Sequence, residues 1–323
     1  MAKITKEQIH PELRKKGIII RWLLPCFKES TFRKANTLQN RFMKGKWSGK
    51  QSICTFMEIP RGDGSNLRLL VCSPLQKKQN VPGVLWIHGG GYAIGLPEQD
   101  VSFIERFILA SDCIVVAPDY TLSTEKPYPA ALNDCYLALL WMKEHAAEYG
   151  IRDDQLFVGG DSAGGGLTAA LTLYARDKKE VSIAFQMPLY PMLDDRMATP
   201  SSRNNDAPVW NTKSNEAGWK LYLGRFFDTE DVPSYAAPAR EVDLSGLPPA
   251  CSFVGTIEPF YDETVCYMER LKTAGVPVYF REYKGCFHAF DFIVPKSTVA
   301  KDATKFLMET FDYAVQNYFA QQT

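Results

Sequence analysis

The run Val158-Gly159-Gly160-Asp161-Ser162-Ala163-Gly164-Gly165-Gly166 constrains this chain more than any other part of it. A continuously apolar segment, Leu156 to Val158, leads in, and a helix-forming segment, Leu167-Thr168-Ala169-Ala170-Leu171, leads out, so G-x-S-x-G at 160–164 falls on a strand-to-helix turn. A serine on such a turn sits in a strained backbone, and the neighbouring chain passes so close that only small flanking residues fit. Gly160 and Gly164 meet that demand, and the helix beyond Ser162 points its first amides at the serine. The plain alternative is a glycine-rich turn that only packs helix on strand. The strand and helix on either side favour the first reading.

The rest of the chain supplies a matching frame. From Gln51 onward, β-branched and aromatic runs bounded by Gly, Pro and Asp appear at Ser52–Ile59, Leu67–Ser73 and Val84–His88, with a hairpin signal at Arg61-Gly62-Asp63-Gly64. Apolar strands then alternate with helical segments: Ile114–Ala117, a helix around 130–149, Leu156–Val158, a helix around 164–176, and Ile183–Leu189. Short, continuously apolar strands alternating with helices predict a parallel sheet covered on both faces. The alternation breaks over 191–249, where a polar stretch and an aromatic helix around 219–227 intervene. It resumes with a strand at Ala250–Gly255, a helix around 262–274, a strand at Val278–Tyr283 and a terminal helix around 298–319. One α/β sheet of about eight strands is expected, with the long segment before Ala250 as an insertion.

A second motif, His88-Gly89-Gly90-Gly91-Tyr92, directly follows the strand ending at Ile87. Successive glycines at a strand end let backbone N–H groups approach a ligand, as an oxyanion hole requires. A phosphate loop is the competitor, but no G-x-x-x-x-G-K-[ST] accompanies it. A serine nucleophile needs a base, and there are four histidines. His10 lies in a polar N-terminal segment, His88 orients the glycine run, and His145 is expected solvated on a helix. His288 remains, just past the last strand, at the sheet edge where such sheets bind ligands. Its plain alternative is a core histidine. The orienting acid belongs between Ser162 and His288 at a strand end. Glu258 is preferred to Asp262, which stands at a helix start where capping is its plainest role.

These residues together resemble the hormone-sensitive-lipase group of α/β-hydrolase carboxylesterases, from about Val81 to Phe290. The matching elements are HGGG at 88–91, Pro118-Asp119-Tyr120 through Pro129-Ala130-Ala131-Leu132-Asn133-Asp134, GDSAGG at 160–165, Leu247-Pro248-Pro249-Ala250, and the Gly-x-x-His-x-Phe ending at 285–290. The resemblance implies Ser162 as nucleophile, His288 as base, and the amides of Gly90, Gly91 and Ala163 as oxyanion hole, with His88, Gly89, Gly160, Asp161 and Gly164 as motif support. Two departures stand out. The usual Asp-Pro-Leu-x-Asp reads Glu258-Pro259-Phe260-Tyr261-Asp262, and the usual Tyr-Arg-Leu-Ala-Pro-Glu reads Tyr120-Thr121-Leu122-Ser123-Thr124-Glu125. The family places a helical cap over the site, here 1–50 and 191–245, on a core of 51–190 and 246–323. Trp22, Phe27, Phe32, Trp47, Trp210, Trp219, Tyr222 and Phe226 then belong to the cap core or line a pocket beneath it.

The implied activity is hydrolysis of small esters with short to medium acyl chains, acetyl esters among them, through an acyl-enzyme. No metal or organic cofactor is implied. A lactonase or amidase would share the machinery. A catalytically silent binding protein is the rival from another class, and retention of both Ser162 and His288 argues against it. Composition narrows the partners. With 37 Lys and Arg against 37 Asp and Glu, the chain lacks the net basic footprint of a nucleic-acid binder. The eight cysteines form no C-x-x-C pair and sit mostly in apolar runs, as at Cys54 and Cys72, which fits reduced thiols in a cytoplasmic protein. Gly17–Phe27 is too short to span a bilayer, so no stable membrane insertion is expected; a homodimer is allowed.

Overall fold

The computed structural model describes residues 3–23 and 26–322. Leu24 and Pro25, within the apolar stretch 17–27, lie outside the described residues. Eight strands, β1 (Ser52–Pro60), β2 (Asn66–Pro74), β3 (Val81–Ile87), β4 (Ile114–Pro118), β5 (Ile151–Asp161), β6 (Phe185–Leu189), β7 (Ala250–Gly255) and β8 (Val278–Tyr283), form one sheet in the order β1-β2-β4-β3-β5-β6-β7-β8. β2 runs antiparallel to β1 and β4, and every other pairing is parallel. The α/β-hydrolase fold, with its mostly parallel sheet of eight strands flanked by helices, is therefore the one expected.

Alternation along the central strands divides the core. Leu85 and Ile87 of β3 face one layer with Leu132, Leu139, Leu167 and Leu171, while Val84 and Trp86 face the other with Phe103, Phe107 and Phe311. The first layer holds α4 (Ala130–Glu144) and α6 (Ala163–Lys178), and the second holds α3 (Val101–Ser111) and α10 (Thr298–Asn317). The N-terminal helices are α1 (Pro11–Leu23) and α2 (Glu29–Phe42); the shorter elements are α5 (Ala146–Tyr149) and α9 (Phe290–Ile293). The segment between β6 and β7 carries α7 (Thr212–Leu223), and α8 (Tyr261–Thr273) packs beside α6 through Tyr267, Met268 and Leu271.

Several elements differ from expectation. α3 was not anticipated. α7 starts earlier than 219, because Asn211 caps it by accepting from the Ser214 amide. β5 starts at Ile151, its first turn of polar residues Arg152, Asp153 and Asp154 hiding the strand pattern. His145 is half-buried rather than solvated, stacked on Trp141 at the end of α4. Cys54 and Cys72 are not free thiols: they sit directly opposite each other on β1 and β2 and are joined in a disulfide. Among the described residues, no helix is long and apolar enough to cross a membrane.

Candidate active site

β5 delivers Asp161 to the edge of the sheet, Ser162 turns the chain with φ 56° and ψ −118°, and α6 begins at Ala163. Backbone packs against backbone here: a Cβ on Gly160 or Gly164 would lie 2.4 Å or 2.0 Å from the carbonyl oxygen of Ile87. The strained serine is held from both sides. Its amide donates to the Leu189 carbonyl at 2.9 Å, and its carbonyl accepts from Met192 at 3.0 Å and Gly166 at 2.9 Å.

The loop after β8 carries His288, and the turn after β7 carries Glu258. Ser162 Oγ lies 2.7 Å from His288 Nε2, and His288 Nδ1 is hydrogen-bonded to Glu258 Oε2. The second oxygen of Glu258 accepts from the Gly255 amide at 2.9 Å, which fixes the carboxylate by both oxygens. With Nδ1–H donating to Glu258, Nε2 is free to accept the Ser162 hydroxyl proton. All three side chains are buried. Tyr190 and Phe260 meet the imidazole edge to face at 5.1 Å, and Trp210 lies 6.4 Å away.

The chain end fastens this histidine loop. His10 N donates to the Gly285 carbonyl at 2.8 Å, Gly285 N to Thr256 Oγ1 at 2.9 Å, and α1 passes over Phe287 so closely that a Cβ on Gly17 would lie 2.9 Å from its ring. Asp262 is placed elsewhere. Its carboxylate accepts from Ser201 N at 2.7 Å and its amide donates to Ser201 Oγ at 3.0 Å, tying α8 to the segment before β7.

The glycine loop follows β3. Gly90 and Gly91 have φ of 127° and 58°, and the N–H groups of Gly90, Gly91 and Ala163 have no acceptor among the described residues. His88 stands behind the loop, stacked on Tyr120 at 4.2 Å with Nδ1 2.9 Å from the Gly89 carbonyl. Burial pushes its pKa down to about 4, so it is neutral and supports the loop.

Sequence reasoning missed a carboxyl cluster behind this loop, with Asp100 and Asp291 buried and Asp161 half-buried. Asp161 Oδ1 accepts from Gly89 N at 2.8 Å, and Asp100 shares a hydrogen bond with Asp161 while accepting from Trp86 Nε1 at 2.8 Å. Burial, then the charge of Asp100, pushes Asp161 well above the usual carboxyl range. Burial raises Asp100 to about 7 and Asp291 to about 6. Asp291 had a visible signal, three residues after a candidate base in Cys286-Phe287-His288-Ala289-Phe290-Asp291.

Of the aromatic residues named in the sequence, Phe32, Trp210, Trp219 and Tyr222 are buried, and Phe27 bridges Phe32 at 5.3 Å and Trp210 at 5.9 Å. Trp22 instead faces solvent, 81% exposed. A cavity of about 630 Å³ opens beside Phe27, which contacts Trp210 and through it His288. A larger cleft of about 920 Å³, lined by paired charges such as Arg61 with Asp134, contains none of the residues gathered around Ser162.

Residues 84–292 match a family described as having the alpha/beta hydrolase fold. The chain is 35% identical over 223 residues to the esterase LipI of Mycobacterium tuberculosis, covering 68% of this chain and 69% of that one. It is 36% identical over 231 residues to the carboxylesterase NlhH of the same organism, covering 69% and 72%. Among solved structures, a bacterial heroin esterase superposes with a TM-score of 0.86 and 32% identity over 97% of this chain and 99% of that one. The chain belongs to the hormone-sensitive-lipase-like family of α/β-hydrolases.

Proposed function

We propose that this α/β-hydrolase is a serine carboxylesterase that cleaves small esters of short to medium acyl chains, acetyl esters among them, with Ser162 as nucleophile, His288 as base and Glu258 as orienting acid. Ser162 Oγ attacks the ester carbonyl carbon while its proton passes to His288 Nε2. The amides of Gly90, Gly91 and Ala163 receive the developing oxyanion. The alcohol leaves with the proton from His288, giving an acyl-Ser162 ester. A water deprotonated by His288 then attacks that ester, releasing the acid and returning the proton to Ser162.

The observation that carries this reading is the 2.7 Å contact from Ser162 Oγ to His288 Nε2, continued through Nδ1 to Glu258. Acyl chain length follows from the crowding of the site. Trp210 lies against Gly91, and the Phe27–Phe32 stack stands behind it. We assign residues 1–50 and 191–245 as a cap over a catalytic core of 51–190 and 246–323. The buried free thiols at Cys113, Cys135, Cys251 and Cys286 suit a cytoplasmic location.

A p-nitrophenyl ester series from acetate to laurate tests the reading. Turnover is expected to be highest for the short esters and to fall by about a thousandfold or more in Ser162→Ala. Equal turnover by the two proteins removes Ser162 from the mechanism.

A further inference from the structure

Charge is segregated along this chain. Residues 1–50 carry thirteen Lys and Arg against three Asp and Glu, although the totals balance at 37 and 37. Apolar surface gathers in the same segment. α1 turns Leu13 and Gly17 inward and leaves Ile18 (38%), Ile19 (47%), Trp22 (81%) and Leu23 (60%) exposed. Their spacing puts these four side chains on one outward helix face, beside Lys15 and Lys16. Single exposed apolar residues are ordinary, but a contiguous set on one helix marks a contact surface.

Four residues after Leu23 the chain reaches Phe27, which lines the 630 Å³ cavity. Lys28, Lys213 and Lys220, all exposed, line that cavity together with Phe27, Ala217, Leu221 and Phe227, so the lysines form its solvent-facing rim. None of the three lysines is ion-paired among the described residues, and the acid at the same rim, Glu29, is held by Arg33 at 3.0 Å.

We propose that α1 and this lysine rim form a docking surface for an anionic lipid aggregate, with Ile19, Trp22 and Leu23 entering the interface and the lysines meeting the headgroups. A helix that combines Trp and Leu with flanking cations suits the boundary between acyl chains and anionic headgroups. A polynucleotide would engage the lysines but has no use for Ile19 and Leu23. A second copy of the chain would bring the same positive segment against itself.

Co-sedimentation with vesicles tests this, using phosphatidylcholine alone and an equimolar mixture with phosphatidylglycerol. The wild type is expected to partition onto the anionic vesicles and only weakly onto the neutral ones, with binding that falls as salt rises. Lys28→Gln/Lys213→Gln/Lys220→Gln is expected to lower partitioning about a hundredfold, roughly fivefold per lysine. Ile19→Ser/Trp22→Ser is expected to lower it at least about tenfold, with hydrolysis of a dissolved ester retained as the sign of an intact fold. Ser162→Ala is expected to sediment like the wild type, so the docking surface is read independently of the ester chemistry. Failure to bind anionic vesicles, or unchanged partitioning of both surface variants, overturns the proposal. So does a dimer in sedimentation velocity that Ile19→Ser/Trp22→Ser disperses, or binding confined to a single-stranded oligonucleotide.

Discussion

The amide of Gly89 donates to Oδ1 of Asp161 across 2.8 Å, so the glycine loop after β3 is anchored to the residue that precedes Ser162. Because Asp161 is held well above the ordinary carboxyl range, its neutral form is the one that accepts from Gly89 and donates to Asp100. An amide reproduces that pattern of one acceptor and one donor. Asp161→Asn is therefore expected to keep kcat/KM within about fivefold of wild type, while Asp161→Ala, which orphans the Gly89 amide, loses about ten- to a hundredfold. Steady-state kinetics on a p-nitrophenyl acetate standard checks this. A loss in Asn as large as in Ala would show that the negative charge of Asp161 is what matters.

Much of this arrangement was legible in the sequence, for physical reasons. Buried parallel strands such as Val81–Ile87 must be continuously apolar, and the crowding at Ile87 leaves no choice but glycine at 160 and 164. Elimination among four histidines needed no structure to reach His288. What escaped was information that arises only when strands pair and side chains are desolvated. The turn at 61–64 sets the register of β1 on β2 and thereby places Cys54 opposite Cys72, a step available from the hairpin signal but hidden by reading each cysteine alone. Helix α3 was missed although Phe103, Ile104, Phe107 and Ile108 repeat at helical spacing. Asp100 and Asp291 escaped because their burial arises only when the chain folds around them.

Glu258 and Asp262 are four residues apart and do different work. Glu258 bonds His288 Nδ1 and the Gly255 amide, whereas Asp262 bonds Ser201. Glu258→Gln presents the wrong partner to Nδ1 and is expected to lower kcat by about a thousandfold or more, by analogy with the loss seen when a triad acid is made an amide. Asp262→Asn should cost less than about tenfold in kcat and show mainly as a lower Tm. The comparison of kcat and melting temperature in the two variants decides it, and a larger kcat loss at 262 reverses the assignment.

Gly91 combines a left-handed backbone with a close neighbour. Its φ is 58°, and an added Cβ would lie 2.2 Å from Cη2 of Trp210. Gly91→Ala is expected to lower kcat by about tenfold or more, because the loop amide moves while Glu258 and His288 stay in place. The double variant Gly91→Ala/Trp210→Ala separates the causes. Recovery of kcat relative to Gly91→Ala identifies the overlap with the indole, and no recovery assigns the loss to the backbone conformation.

The buried acid Asp291 makes stability depend on pH in a direction opposite to that of a surface carboxylate. Burial raises its pKa from 3.8 to about 6, so between these values the folded protein binds its proton more tightly than the unfolded chain. Its contribution is complete below 3.8 and is lost as pH rises through about 6, a change on the order of 3 kcal/mol. His88 acts in the other sense. Its folded value of about 4, below the ordinary 6.5, adds stability that is present above 6.5 and lost as pH falls. Comparing wild type with Asp291→Asn cancels the histidine, which both proteins share. The variant is expected to gain about 3 kcal/mol relative to wild type between about pH 4 and about pH 7. Urea unfolding of the two proteins across that range measures the difference directly. A difference that stays constant with pH means that Asp291 does not change protonation there and is held charged, Arg106 being the cation that favours that form.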